Sequence, residues 1–391
     1  MKVKQPRRWK KQTKAQQKAA AQRVTGLLLW VILFVFGISA FICACISGQR
    51  SDSDTMPKTC SPSLQQMADS MLSHRVPGRN TLVRTVTNCI AAAGGNRVGD
   101  VYLTEERLLE CPEQLDAEQL FETASLLNQF YTVYEIPTCV IAVPSAGEFY
   151  KDTLLEGMSY PSQMPEIDKF YQQISSPIRK IDVYHVLFTA TEDYIYNRTD
   201  PRWSGYGAYC VYRNAIQKMG FAPIAYDQYA VIHVDSFRGS LYDACLYEKV
   251  TPDILDVYTC ESGSSVTEMT AYLTDGTKEE RQLYEIPTDS QADPYAFYLG
   301  QDCEKLVIRT NLDNQKKLLL LKDSYADCMI PFLLQHYSEI CIIDVTCMEH
   351  TLEELTEVSD HTQVLVLCDA DTFAESEYFE DILTGEEKAY D

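Results

Sequence analysis

The chain has 391 residues, with 34 Lys and Arg against 56 Asp and Glu, a net charge of −22 and 46 % hydrophobic residues. That length holds one large domain or two ordinary ones. Residues 1–49 carry nine basic side chains and no acid, leaving 25 basic against 56 acidic beyond them. A surface this acidic repels polyanions, which excludes nucleic acid as a partner of the folded part.

In chain order, a basic tail (1–23) precedes an uncharged run at 24–49, "VTGLLLWVILFVFGISAFICACISGQ". Its apolar part reaches the roughly 20 residues that a spanning helix needs. All nine basic residues lie before it, so the positive-inside rule predicts a single-pass type II anchor, with the N-terminus cytoplasmic and the main domain extracellular in the cell membrane. A signal peptide has a shorter apolar region, and "ICAC" (42–45) only loosely matches a lipoprotein cleavage box, so an uncleaved anchor is the preferred reading. Residues 50–82, rich in Ser, Pro, Asp and Gln at their start, read as a stalk, and 83–391 as the folded domain.

Within that domain, apolar β-type runs predict strands at 100–104, 137–143, 181–188, 316–323, 339–345 and 362–368. Helices are expected at 115–131, 162–176, 205–219, 325–337 and 351–358. Near-continuous apolar strands alternating with helices indicate an α/β fold, a parallel sheet covered on both faces. Residues 229–300, acidic and Tyr-rich, break the rhythm and read as an irregular insertion with short strands and loops. The acidic end, 369–391, reads as a solvated helix end. Fourteen cysteines include no CxxC pair, so neither a structural zinc site nor any other metal is expected. Most of the external thiols read as small packing hydrophobes.

Two segments carry candidate chemistry. In "LLLLKDSYADCMIPFLLQHY" (318–337) a buried strand ends at Lys322-Asp323 and the chain turns at Ser324. Open α/β sheets bind ligands at this end of their strands. Two readings are open: Ser324 or Asp323 caps the helix, or Ser324 is a nucleophile whose oxyanion is held by the amides near Tyr325 and Ala326. In "YNRTDPRWSGYGAY" (196–209), Asp200 precedes Arg202 and Trp203. Arg202 reads as an ion-pair partner of Asp200 or as a cation that grips a ligand carboxylate or phosphate. Gly205 and Gly207 after it permit close backbone packing.

Six segments in order resemble the DHHW family, SGNH-hydrolase-like relatives of alginate O-acetylation proteins. They are "GDVYLTEERLLE" (99–110), "CVIAVPSAGEFYKDTL" (139–154), "YNRTDPRWSGYGAYCVY" (196–212), "FRGSLYDACLYEKVTPDILDVY" (237–258), "YAFYLGQD" (295–302) and the segment 318–345. The resemblance implies a three-layer SGNH-like domain and acyl-ester transfer or hydrolysis on cell-envelope polysaccharide, with a membrane acyltransferase as partner and no cofactor. It makes Ser324 the nucleophile and Asp200 the acid that orients a histidine, with Trp203, Asp323 and Tyr325 around them. The two histidines of the Asp-His-His-Trp motif are here Pro201 and Arg202. A guanidinium has no acceptor and takes no proton. The chain is then either an esterase-like protein with a damaged triad or a pseudoenzyme that binds glycan or acts as a scaffold. His185 and His233 are the surrogate bases that the sequence offers.

Overall fold

The computed structural model describes residues 79–111, 114–154, 160–285 and 294–383. The tail, the anchor run and the stalk up to residue 78 lie outside these; among the described residues no helix is long and apolar enough to cross a membrane. Helix α1 (Arg79–Ala92) leads into a small antiparallel sheet of β1 (Arg97–Val98), β2 (Val101–Leu103) and β3 (Leu108–Glu110). Then come α2 (Ala117–Tyr134), β4 (Thr138–Val143), α3 (Met164–Gln173), β5 (Arg179–Lys180) and α4 (Gly205–Lys218). A hairpin of β6 (Ala230–Phe237) and β7 (Asp253–Thr259) follows. The chain continues through β8 (Val266–Tyr272), β9 (Lys278–Glu280), β10 (Lys305–Thr310), β11 (Lys317–Lys322), β12 (Glu339–Asp344) and β13 (Gln363–Asp369).

The main sheet runs β5-β4-β13-β11-β12-β10-β8-β9. Its first five strands are parallel, and the last three add on antiparallel. Alternation along β11 and β13 splits the core in two. Leu318, Leu320, Leu365 and Leu367 face the layer that holds Val211 and Tyr212 of α4. Leu319, Leu321, Val364 and Val366 face Leu127 and Phe130 of α2 and Phe170 of α3. Period-two alternation in strands buried on both sides makes this three-layer packing. The start of α2 is fixed by Asp116, whose carboxylate accepts the Glu118 and Gln119 amides; its end is fixed by Glu135 in the left-handed region.

Four expectations change. Residues 181–188 contain the helical turn Tyr184–Phe188 rather than a strand, because the Asp182 carboxylate accepts the Tyr184 amide at 2.9 Å and starts it. The helix expected at 325–337 is a 3₁₀ stretch, Ser324–Met329, followed by one α turn, Ile330–Leu333, with Pro331 in its first turn. The 229–300 stretch is less of an insertion than its composition suggests: β8 and β9 extend the main sheet, with Met269 and Ala271 of β8 in the core. The acidic end is not all solvated, since Phe373, Phe379 and Ile382 pack into the α2 layer. The eleven described cysteines are free thiols.

Candidate functional site

The motif loop is a closed feature. Tyr196 and Trp203 form an isolated antiparallel bridge, the Asn197 amide donates to the Arg202 carbonyl at 3.2 Å, and the Ser204 amide donates to Ile195 at 2.9 Å. Ser204 then caps α4, its hydroxyl accepting the Gly207 amide at 3.1 Å. Gly207 has to be glycine: a Cβ there would lie 2.2 Å from the Ile195 carbonyl oxygen. Inside the loop, Arg202 Nε and Nη2 donate to the two Asp200 oxygens at 2.7 and 2.8 Å, a bidentate pair with both side chains buried. The guanidinium carbon stands 3.8 Å from the centroid of the Tyr295 ring. The edge of the fork that would grip a ligand anion is therefore filled by Asp200, and the structure realises the ion-pair reading of this segment.

Ser324 stands at the carboxyl end of β11, which has a parallel strand on each side, β13 and β12. It is half-buried, and among the described residues nothing hydrogen-bonds its hydroxyl. Asp323, not Ser324, caps the turn: its Oδ1 accepts the Tyr325 amide at 2.9 Å. The Ala326 amide goes to the Asp323 carbonyl at 3.2 Å. Both amides expected to hold an oxyanion thus have partners, because a tight 3₁₀ turn uses its first donors internally. The turn and the motif loop meet through Tyr325, whose hydroxyl donates to the Pro201 carbonyl at 3.1 Å and whose carbonyl accepts the Trp203 indole N–H. The structure thus brings Asp200, Arg202, Trp203, Asp323, Ser324 and Tyr325 into one region.

No described histidine joins them. His185 lies exposed on its own turn, with Nδ1 2.9 Å from Asp182. His233 lies on the β6–β7 hairpin, paired with Asp256 at 2.6 Å. His336 is buried against the Tyr212 hydroxyl at 2.7 Å. Lys322, next to the serine turn, is bound between Asp327 at 2.9 Å and Asp344 at 2.6 Å. Burial opposes its charge, but the two carboxylates outweigh burial and hold the ammonium above its usual range, so it is no base either.

Other residues shape the site without having stood out in the sequence. Asp253, wholly buried at the start of β7, accepts the Arg198 and Thr199 amides at 2.6 and 2.7 Å and the hydroxyls of Tyr194 and Thr199. Burial raises its carboxyl pKa, while those donors work the other way. Gly239 lets the backbone pass against Asp200, since a Cβ there would lie 2.2 Å from Oδ2, and the next amide, of Ser240, donates to the same oxygen at 3.2 Å. Asp369, the last residue of β13, donates its amide to Asp323 Oδ2 at 2.7 Å, and its own Oδ1 accepts the Thr372 amide at 2.6 Å. Burial raises both carboxyls, Asp323 further still because the Asp369 charge is beside it.

The DHHW protein family model matches residues 85–343. No curated protein matches the chain. Among solved structures, a DHHW family protein from Eubacterium siraeum DSM 15702 is 22 % identical, covering 73 % of this chain and 98 % of its own, with a TM-score of 0.62. Bacillus cereus PatB1, solved with a sulfonyl adduct, is 19 % identical over 71 % of this chain and 97 % of its own, with a TM-score of 0.60. At these identities the likeness shows a shared fold. With the family match covering most of the described domain, the chain belongs to the DHHW family, with Pro201 and Arg202 where the motif has its two histidines.

Proposed function

We propose that this domain acts on acyl esters of cell-envelope polysaccharide, with Ser324 as nucleophile and without a Ser-His-Asp relay. The observation that carries the reading is the Ser324 hydroxyl, uncommitted and half-buried at the carboxyl end of the central parallel strands, against the family's motif loop. Ligands of open α/β sheets lie there. Asp200 serves the fold rather than the chemistry, since its two oxygens are taken by Arg202. The anchor at 24–49 holds the domain outside the cell membrane, and a membrane acyltransferase supplies the acyl group. The Asp200–Arg202 pair also favours a second reading, a non-catalytic member that binds glycan or scaffolds an envelope assembly.

The test uses full-length protein in detergent with p-nitrophenyl acetate, beside Ser324→Ala. Release of p-nitrophenol that disappears in Ser324→Ala is the expected result. Phenylmethanesulfonyl fluoride, which leaves a sulfonyl adduct on a reactive serine, would then label Ser324 and stop turnover. Neither turnover nor labelling in the native chain, with turnover appearing in Arg202→His, would instead establish the non-catalytic reading, because a base alone would have been missing.

A further inference from the structure

We propose that Asp369 is the general base for Ser324, an assignment that rests on the acyl-ester reading above. A serine hydroxyl is a poor nucleophile without a proton acceptor beside it. Arg202 has no acceptor, Lys322 is bound in an ion cluster, and the described histidines are engaged elsewhere, His350 with Glu304 and His361 with the Val358 carbonyl among them. The group that the sheet itself delivers to Ser324 is a carboxyl.

Strands β11 and β13 are parallel and paired from Leu318↔Gln363 to Lys322↔Leu367, a constant offset. Continuing that register two residues places Ser324 opposite Asp369. The continuation is physical: Asp323 is extended at φ −108°, ψ −175°, Asp369 at φ −69°, ψ 167°, and the Asp369 amide still reaches across to the Asp323 carboxyl at 2.7 Å. Neighbouring strands lie about 4.8 Å apart, and in-register residues point to the same side. Asp369 is half-buried like Ser324, whereas Asp323 is buried.

The two carboxyls divide the work. Burial raises both carboxyls, and Asp323 further because it is buried deeper and beside the Asp369 charge, so of the two Asp369 gives up its proton more readily. The Thr372 amide donates to the Asp369 carboxylate at 2.6 Å, which favours its ionised form. Burial still leaves Asp369 more basic than a free aspartate, which suits a general base.

The step balances without another reagent. The Ser324 oxygen attacks the ester carbonyl carbon while the Asp369 carboxylate takes the hydroxyl proton, and the carbonyl π pair moves to oxygen. When the tetrahedral intermediate collapses, the C–O bond to the sugar breaks and Asp369 returns the proton to the leaving alkoxide, leaving acyl-Ser324. Asp369 then deprotonates the water or acceptor hydroxyl that releases the acyl group. Other ionisable groups face this carboxyl. Tyr196, Tyr325 and Tyr378 feel its charge. Asp371 follows it on the next turn, and Glu110 with Asp371 acts on the neighbouring Tyr325.

The experiment compares the full-length chain with Asp369→Asn, Asp369→Glu and Ser324→Ala, by p-nitrophenyl acetate turnover from pH 5 to 9 and by sulfonyl fluoride labelling of Ser324. Asn keeps the cap on Thr372, and thermal unfolding checks that the variant is folded. Asp369→Asn is expected to lower turnover and labelling by about 100-fold or more and to erase the acidic limb of the pH profile. Asp369→Glu should retain part of both. Native rates in folded Asp369→Asn, with turnover still lost in Ser324→Ala, would overturn the base assignment and leave the acyl-ester reading standing. Absence of Ser324-dependent turnover and labelling in the native chain would overturn both.

Discussion

Arginine at position 202 changes what Asp200 is for. In a serine triad the aspartate orients an imidazole through one hydrogen bond and keeps its charge for the transition state. Here the carboxylate accepts the Arg202 Nε, Nη2 and backbone N–H together with the Ser240 amide, so it is fully used in the resting fold. Such a pair gains less from attraction than it would lose from separation, because a lone charge at 1 % exposure has no solvent to fall back on. Arg202→Ala should therefore destabilise the domain by about 3–5 kcal/mol in urea unfolding. Arg202→Lys should recover only part of that loss, since an ammonium cannot bridge both oxygens in the plane of a fork. An unchanged unfolding midpoint in Arg202→Ala would mean that the pair is not what holds the loop.

At the scale of elements, the loop at 197–203 is held from outside by the β6–β7 hairpin and the turn that follows β6. Asp253 ties down two of its amides, and Gly239 and Ser240 close over Asp200. Gly239→Ala is expected to cost about 1–3 kcal/mol, as overpacking against a buried and immobile side chain does, and to lower any Ser324-dependent turnover with it. A variant as stable as the native chain would show that the loop has room to move. This support was not legible in the sequence. Asp253 stands in "TPDILDVY" as an ordinary polar residue before a strand, and only tertiary contact across 54 positions shows it as the anchor of Thr199. What was legible is local or periodic: the unbroken apolar runs of β4, β11, β12 and β13, and the Asp-Pro-Arg-Trp loop. The 3₁₀ turn at Ser324 was hidden because its apolar spacing also fits an α-helix. Strand β10 was missed, although "KLVIRT" is apolar at its centre, because the irregular stretch before it obscured its start. Asp369 was invisible as a neighbour of Ser324 until the strand order put β13 beside β11.

For the whole domain, two closed cores on either side of one sheet leave acid sensitivity to a few buried groups. His336 is the clearest. It packs between Tyr212 and Phe221, and burial lowers its pKa to about 4. In the unfolded chain it titrates near 6.5. Between those values the unfolded state binds the proton and the folded state does not, so stability falls as pH drops from about 6.5 towards 4 and is unaffected above that window. His361 is shifted the same way by its burial and adds to the trend. The loss attributable to His336 should be on the order of 2 kcal/mol between pH 7 and pH 5. Falling pH also removes negative charge from an acidic surface, so native stability alone mixes two opposing effects. His336→Gln separates them. It loses ring packing at every pH but has nothing to protonate, so its deficit relative to the native chain should shrink by that amount from pH 7 to pH 5. Urea unfolding of both chains at the two pH values measures this directly, and a deficit that stays constant would mean that the imidazole is protonated equally in the folded and unfolded states.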